Sequence, residues 1–344
     1  NNFLKMFFPA GFYYKTFMWP PSFWYKIYEP FIRMAAGFGE ASIKHDKERY
    51  EHKYEYCDLL ITGSGPSGLA SAYAAAKNGA RVILAEDKPR FGGSLLTSDV
   101  NIGNQTGVEW TEKIIAELKS MPNVTVKNRS QVFGYYDHNM LVMSERISDH
   151  LPKTQKYLPK QRLWYIRANE VLISSGSIER PLVFGNNDTP GVMLSSAAKE
   201  YMKVYGVLVG KKPLIFTNND SGYETAIEFK KNGVNPIILD TRSNPSSDII
   251  TEAKNLNIEI KFSYVVVAAK GYKKVKSADI AKISDDKKEL FNIENIECDC
   301  ICVSGFWTPS IHLASQSGNK SKFNEKIDAF VPDKSKQQEN TIGS

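Results

Sequence analysis

The chain has 344 residues, of which 42% are hydrophobic and 24% are charged, and its formal net charge is +6. This length allows two domains with buried cores, and the mild, scattered positive charge argues against a nucleic-acid-binding surface. Lysines and prolines interrupt the apolar stretches near the start, so we expect no segment to cross a membrane. The composition predicts a cytoplasmic globular protein with no nucleic-acid and no membrane partner.

Residues 1–50 form an aromatic-rich segment that precedes the first predicted strand. Fourteen of the chain's forty aromatic residues lie within its first 40 positions, and Pro9, Pro20 and Pro21 prevent one continuous helix. If exposed, such a segment would promote aggregation or anchor the chain to a membrane surface. We expect it instead to pack across other protein, either the rest of this chain or a partner.

The most informative pattern is a strand, a glycine-rich turn with the sequence GSGPSG at 63–68, a helix of small residues and a second strand ending at Glu86. This is the pattern of a dinucleotide-binding βαβ motif. Gly63 allows the tight turn, Gly65 lets a pyrophosphate approach the backbone, and Gly68 lets the helix pack closely on the strand. Free N–H groups at the helix start would bind phosphate, and Glu86 would accept hydrogen bonds from an adenosine ribose.

The rest of the first domain is predicted from shorter patterns. The glycine pair at 92–93 could lie against the cofactor, and residues 110–120 fit an amphipathic helix. Residues 131–146 and 163–167 fit short antiparallel strands around a polar loop, and an apolar strand at 171–176 closes the domain.

A second βαβ motif is predicted between residues 213 and 240, but its turn is degenerate. Its three glycine positions hold Asn218, Asp220 and Tyr223. The charge of Asp220 would repel a pyrophosphate, and the side chain of Tyr223 would prevent a close approach of helix and strand. We therefore expect this half to keep the fold and to have lost its nucleotide.

These patterns predict an α/β protein made of two nested Rossmann-like dinucleotide-binding units, an architecture like that of thioredoxin and glutathione reductases, with an aromatic-rich N-terminal extension. The extension covers residues 1–50. The first dinucleotide-binding domain is expected to comprise 51–190 and 296–344, and the second, degenerate domain 191–295.

The four cysteines form no redox or metal motif. Cys298, Cys300 and Cys302 alternate along an apolar run, so we expect them to share one face of a buried strand. The chain has no CxxC pair, no histidine close to these cysteines and no evident Ser/His/Asp or paired-carboxylate arrangement. We therefore assign no metal ligand and no catalytic residue, and we expect reduced thiols.

The chain resembles the α subunits of heterotetrameric sarcosine oxidases over essentially its whole length. The segments that carry the resemblance are MFFPAGFYYKTFMWP, YEPFIRMAAGFGEA, CDLLITGSGPSGLASA, FGGSLL, SSGSIERPLVFGNNDTPGVML, FTNNDSGYETA, VSGFWTPSIHLASQSG and AFVP. The resemblance implies that the chain is a central fragment. A small ferredoxin-like domain would precede residue 1, and a large aminomethyltransferase-like domain that binds tetrahydrofolate would follow residue 344.

The resemblance also implies a role for the chain within a complex of α, β, γ and δ subunits. Such a complex oxidises sarcosine at an FAD on the β subunit and passes electrons to an FMN at the α/β interface. Oxygen then takes the electrons and yields peroxide, while the methyl carbon leaves as methylenetetrahydrofolate or formaldehyde. The α subunit holds an NAD that is not reduced in turnover. We therefore expect NAD here, the amine substrate on another subunit, and no turnover by this chain alone.

Carried over residue by residue, the resemblance implies a set of NAD contacts. They are Gly63, Gly65, Ser67 and Gly68 at the phosphates, Glu86, Asp87 and Lys88 at the ribose, Ser94 after the glycine pair, Val132 at the adenine edge, and Gly305, Thr308, Leu313 and Ser315 in a closing loop.

Amine, opine and proline dehydrogenase complexes and hydrogen cyanide synthase have similar subunits, some with FAD in this site, so FAD stays an alternative to NAD. A stand-alone FAD-dependent NAD(P)H oxidoreductase and an assembly scaffold with an empty site are the other interpretations.

Overall fold

A computed structural model describes residues 17, 19–37, 39, 42–152 and 157–343, and the chain divides into two compact units, Asn1–Glu48 and Arg49–Ser344. In the first unit, a π-helix over Trp24–Tyr28 continues into α1 (Glu29–Ala36). Neither of these two helices buries a residue, and Tyr25 is 80% exposed. The aromatic residues of 1–16 lie outside the described residues, so their packing across other protein stays a prediction.

The second unit contains a seven-stranded sheet. Its strands are β1 (Tyr50–Thr62), β2 (Val82–Ala85), β5 (Val124–Lys127), β6 (Ser130–Tyr136), β7 (Met140–Arg146), β8 (Gln161–Ile173) and β21 (Glu339–Thr341). The order is β5-β2-β1-β8-β7-β6, and β21 pairs with β8 beyond the end of β7. All neighbouring pairs among β5, β2, β1, β8 and β21 are parallel, so these strands end at one carboxyl edge.

A second, five-stranded parallel sheet follows in the chain. Its strands are β10 (Val192–Leu194), β11 (Pro213–Thr217), β12 (Ile237–Asp240), β13 (Glu259–Phe262) and β17 (Cys300–Ser304), in the order β10-β17-β11-β12-β13. An antiparallel three-stranded sheet consists of β14 (Tyr264–Lys270), β15 (Ser277–Ile283) and β16 (Leu290–Glu297). The two-stranded sheets pair β3 (Asn101–Ile102) with β4 (Gln105–Thr106), β9 (Ser177–Glu179) with β18 (Trp307–Pro309), and β19 (Ser321–Asn324) with β20 (Ala329–Pro332).

Helices cover apolar faces of the seven-stranded and the five-stranded sheet. They are α2 (Pro66–Lys77), α3 (Gly107–Ser120), α4 (Ser195–Tyr205), α5 (Ser221–Lys231), α6 (Asp248–Asn255) and α7 (His312–Gln316), with a 3₁₀ turn over Gly93–Leu96. Side chains of α2 and α3 share one buried cluster with the first sheet, and those of α4, α5 and α6 share another with the second. Within the described residues, no helix is both long enough and apolar enough to cross a bilayer.

The predicted fold class is confirmed. The segments β1-α2-β2 and β11-α5-β12 are two parallel βαβ motifs with the same connection. The chain leaves the first sheet after β8, builds the second sheet, and returns to the first as β21. The second motif is therefore nested inside the first domain, as the sequence indicated.

Two elements extend further than the sequence predicted. The expected strands at 163–167 and 171–176 are joined in one 13-residue strand, β8, because β1 pairs with it on both sides of its polar middle. Helix α3 begins at Gly107 rather than at residue 110, because Thr106 and Glu109 form a capping box there.

The C-terminal part is divided differently from the expected 296–344 assignment. Strand β17 lies inside the second sheet, between β10 and β11, whereas α7 and β21 contact the first sheet. A strand that is buried on both faces carries no alternation that shows which sheet it joins.

This misassigned strand also affects the cysteines. Cys300 and Cys302 pack together against the helices of the second sheet, but Cys298 precedes the strand and packs in a different cluster, so the expectation of one shared face is wrong for Cys298.

Candidate functional site

The glycine turn between β1 and α2 lies at the carboxyl edge of the first sheet, against the end of β8. Gly63 has φ +101°, and a Cβ there would lie 2.4 Å from the carbonyl oxygen of Ser174. A Cβ on Gly68 would lie 2.1 Å from the carbonyl oxygen of Gly63 and 2.6 Å from Ser174 Oγ. The turn itself therefore requires glycine at both positions.

Gly65 differs from these two glycines because it has no neighbour where its side chain would be. It has φ −66°, which any residue adopts, and a Cβ there would meet no described atom within 4 Å. It precedes α2, whose first turn has no side-chain cap, and the backbone of Gly93 lies against its Cα. The result is open space over exposed backbone at a helix N-terminus, which is the kind of position that binds a phosphate group.

Glu86, the acid that ends the motif, is only 6% exposed and braces the glycine turn. One carboxylate oxygen accepts hydrogen bonds from Ser64 N at 2.9 Å and Ser64 Oγ at 2.5 Å, and the other accepts from Lys88 N at 3.0 Å. Burial raises the pKa of Glu86 and a hydrogen bond with Asp87 raises it further, while the bonds from Ser64 and Lys88 oppose the shift. The sequence predicted that Glu86 accepts hydrogen bonds from a ribose. In the structure, its carboxylate oxygens accept hydrogen bonds from Ser64 in the glycine turn and from the backbone N–H of Lys88.

The other residues expected at the phosphates and ribose lie around this turn. Asp87 and Lys88 are exposed, and Lys88 Nζ forms an ion pair with Glu200 of α4 at 2.8 Å. Ser94 is exposed and follows Gly93 in the 3₁₀ turn.

Ser67 lies beside a residue that the sequence did not single out. A Cβ on Gly343 would lie 3.2 Å from Ser67 Oγ, so the backbone that follows β21 reaches the start of α2. The polar tail gave no signal for this contact, because it depends on β21 pairing with β8 some 170 residues earlier in the chain.

The expected adenine contact, Val132, lies in β6 beside the acid. The backbone N–H of Ser130 donates to the carbonyl oxygen of Glu86 at 2.7 Å, so β6 starts next to the end of β2. Val132 and Leu313 of α7 pack against the same buried cluster, and Ser315 is exposed on α7. The structure thus brings Val132 and α7 together with the first motif.

The rest of the closing loop is anchored at the same edge of the sheet. The N–H of Ser310 donates to the carbonyl oxygen of Gly176 at 2.9 Å, directly after β8. Thr308 lies in β18, opposite Ile178 of β9, and the N–H of Gly305 donates to the carbonyl oxygen of Arg180 at 2.7 Å. Gly305 and Thr308 therefore belong to the segment that joins the two sheets, and Ser310 is the point at which this segment contacts the first domain.

The corresponding turn of the second motif is closed by its own side chains. The guanidinium of Arg242 forms ion pairs with Asp220 and with the buried Asp240, each at 2.8 Å, and the hydroxyl of Tyr223 donates to Asp240 at 2.7 Å. The indole N–H of Trp307 donates to Ser221 Oγ, at the first residue of α5, at 2.8 Å. Charged and hydrogen-bonded side chains thus line the turn at which a second pyrophosphate would be expected.

One expectation for this second turn is wrong. Tyr223 does not keep the helix away from the strand, because it is fully buried and hydrogen-bonded beneath the turn. The close approach is made one residue earlier by Gly222, where a Cβ would lie 2.6 Å from the Cβ of Thr217.

Comparison with known proteins agrees with this architecture. A family model described as pyridine nucleotide-disulphide oxidoreductase matches residues 57–337. The sarcosine oxidase α subunit of Rhizobium meliloti (strain 1021) is 40% identical over 332 residues, which are 96% of this chain and 32% of that protein. The resemblance stated from the sequence is therefore confirmed, and the chain spans about a third of the length of this relative.

Two solved structures share the fold at low sequence identity. L-proline dehydrogenase from P. horikoshii has a TM-score of 0.61 at 19% identity, over 88% of this chain and 53% of that one. Thioredoxin reductase from T. acidophilum also has a TM-score of 0.61, at 16% identity, over 84% of this chain and 90% of that one.

Proposed function

Because the chain belongs to the pyridine nucleotide-disulphide oxidoreductase family, we propose that the turn at 63–68 binds a dinucleotide and that this dinucleotide is NAD. The observation that carries the proposal is the open space over Gly65. It is the one glycine of the turn whose missing side chain leaves space, and it precedes an uncapped helix. A pyrophosphate there would be held by backbone N–H groups of α2, with the ribose toward Glu86 and the adenine toward the backbone of Val132.

The chain's own residues would orient and retain this group. Glu86 fixes the turn through Ser64, and Gly93 packs against the Cα of Gly65. NAD supplies a hydride acceptor where a substrate can reach its nicotinamide. We assign no such substrate site to this chain, so the nucleotide here has a structural role.

We also propose that the chain is the nucleotide-binding part of the α subunit of a sarcosine oxidase-type complex. The support is the 40% identity to the subunit of that name over nearly the whole chain. In this proposal the β, γ and δ subunits complete the complex, and the amine, FAD and FMN bind outside this chain. Tetrahydrofolate would bind a further domain of the α subunit. Sarcosine is demethylated to glycine by the assembled complex only.

The second motif is proposed to bind no nucleotide. Asp220, paired with Arg242, and the indole of Trp307 line the turn, and the charge of Asp220 would repel a pyrophosphate there. This argues against a stand-alone NAD(P)H oxidoreductase, which needs a pyridine nucleotide in that position.

The test is release of bound nucleotide from purified, heat-denatured protein, measured by absorbance and mass spectrometry, with Gly65→Ala as the matched variant. We expect about one NAD per chain from the natural protein, no flavin absorbance, and little nucleotide from the variant. Stoichiometric FAD would contradict the NAD assignment and favour a proline, opine or amine dehydrogenase-type subunit. Neither nucleotide, from folded protein that also fails to bind added NAD or FAD, would contradict dinucleotide binding and leave an assembly scaffold.

A further inference from the structure

A tight turn beside the loop that follows Glu86 holds one arginine in an unusual backbone conformation. Arg129 lies between β5 and β6 and has φ +51°, in the left-handed region that residues other than glycine rarely adopt. Such conformations persist where the surroundings enforce them, and they cluster at binding sites.

The surroundings here are a set of hydrogen bonds that fasten this turn to the loop after β2. The N–H of Arg129 donates to the carbonyl oxygen of Lys88 at 3.1 Å, and its carbonyl oxygen accepts from Arg146 N at 2.9 Å. Asn128 Nδ2 donates to the carbonyl oxygen of Pro89 at 2.7 Å. The Cα of Arg129 is therefore fixed beside the Glu86–Lys88 segment.

Among the described residues, the guanidinium of Arg129 has no partner, and the same holds for the exposed Arg90 in the adjacent loop, whereas the other basic groups nearby are engaged. Lys88 pairs with Glu200, Lys127 lies near Glu145 and over the ring of Trp164, and Arg146 donates to the carbonyl oxygen of Asp87. Arg129 is half-buried, yet its side chain makes no hydrogen bond, ion pair or ring contact within the described part of the chain. The guanidinium of Arg129 is therefore available to a ligand, on a backbone that its hydrogen bonds hold in place.

The position of Arg129 decides which part of a dinucleotide it can reach. The glycine turn follows β1, Glu86 follows β2, and Arg129 follows β5, and these strands are consecutive in the sheet. Neighbouring strands lie about 4.8 Å apart, so Arg129 is about two strand spacings from the expected pyrophosphate position, and Glu86 lies between the two. The group that a dinucleotide extends beyond its ribose at this edge is the adenine base.

We propose that Arg129 is a ligand-binding residue whose guanidinium packs against the adenine of the bound dinucleotide. The inference rests on the proposed dinucleotide binding at the glycine turn. A guanidinium is planar and weakly hydrated and stacks on aromatic faces, whereas a lysine ammonium does not form the same contact.

The test compares Arg129→Gly and Arg129→Lys with the natural protein by calorimetric titration of nucleotide-stripped protein with NAD, ADP-ribose and nicotinamide mononucleotide. Glycine suits φ +51°, so Arg129→Gly removes the side chain without straining the turn, and its melting temperature is expected to stay within about 2 °C of the natural value. Arg167→Ala, which removes an exposed arginine of β8, is the matched control.

We expect Arg129→Gly to lower the affinity for NAD and for ADP-ribose by the same factor, about 5- to 30-fold, and to leave the affinity for nicotinamide mononucleotide unchanged. Arg129→Lys should restore little of the lost affinity. The control should bind as the natural protein does. NAD affinity within twofold of the natural value in a folded Arg129→Gly protein would overturn the assignment while leaving dinucleotide binding intact. Full rescue by lysine would overturn the packing contact. A natural protein that binds neither NAD nor FAD would overturn the proposed function and this inference together. If Arg129→Gly does not fold, Arg129→Asn, which also tolerates positive φ, is measured instead and judged in the same way.

Discussion

Two glycines of one turn should respond to the same substitution in opposite ways. A Cβ on Gly68 would lie 2.1 Å from the carbonyl oxygen of Gly63 and 2.6 Å from Ser174 Oγ, about 1 Å inside the closest contact that real Cβ atoms make. The variant Gly68→Ala must therefore move α2 away from the turn or displace Ser174, whose hydroxyl donates to the carbonyl oxygen of Gly63 at 2.8 Å.

The cost of that movement can be worked out from its parts. Overpacking costs about 1–3 kcal/mol, and losing the Ser174 hydrogen bond costs about 1 kcal/mol. The better helix propensity of alanine returns about 0.5–1 kcal/mol. We expect Gly68→Ala to lower the free energy of unfolding by about 1–3 kcal/mol, which is about 1.5–4 °C in melting temperature for a chain of this length.

Gly65→Ala is the contrasting substitution. Its Cβ would point into open space and its φ of −66° suits alanine, so the melting temperature should change by less than about 2 °C. Differential scanning calorimetry of the two nucleotide-free variants and the natural protein measures both effects. Equal melting temperatures for Gly68→Ala and Gly65→Ala would refute the steric account of this turn.

Three further predictions concern buried groups. Tyr223→Phe should lower the free energy of unfolding, measured by urea titration, by about 1.5–3 kcal/mol, because the buried carboxylate of Asp240 loses the phenolic donor that lies 2.7 Å from it. An unchanged free energy would mean that Arg242 alone satisfies that carboxylate. All four cysteines are buried, and burial raises the pKa of Cys57 and of Cys298 to about 12. A thiol reagent at pH 8 should therefore label the folded protein only as fast as the protein unfolds, and faster labelling would contradict their burial. Burial raises the pKa of Glu86 above 4.5, so around that pH the native state binds more protons than the unfolded state, and the contribution of Glu86 to stability falls as the pH rises through the raised pKa. In urea titrations from pH 4 to 8, the free energy of unfolding of Glu86→Gln should therefore rise relative to that of the natural protein. A difference that stays constant over this range would contradict the raised pKa.

The first βαβ motif could be predicted from the sequence because several independent signals coincide there. The glycines at 63, 65 and 68, two apolar strands, a helix of small residues and the acid at 86 each have a local physical reason. Local patterns also gave the second motif and the loss of its glycines.

The parts that could not be predicted depend on contacts distant in the chain. Strand β17 has apolar residues on both faces, so nothing local places it in the second sheet rather than the first. The approach of Gly343 to Ser67 requires β21 to pair with β8.

Side-chain partners across the fold were equally hidden. The inward hydrogen bonds of Glu86 to Ser64 and the network of Arg242 with Asp220 and Asp240 depend on where separate loops meet. In the sequence, Glu86 is simply an acid at the right spacing, and Arg242 is one of many basic residues. Their roles are visible only when the turn and the strand end are seen together.

The most direct test of the central claim is a calorimetric titration of NAD into nucleotide-stripped natural protein and into Gly65→Ala at equal concentration. If the open space over Gly65 holds the pyrophosphate, the natural protein binds one NAD. The variant, with an unchanged melting temperature, binds NAD at least about 10-fold more weakly because its methyl group occupies that space. Equal affinity of the two proteins for NAD would place the nucleotide elsewhere and contradict the account.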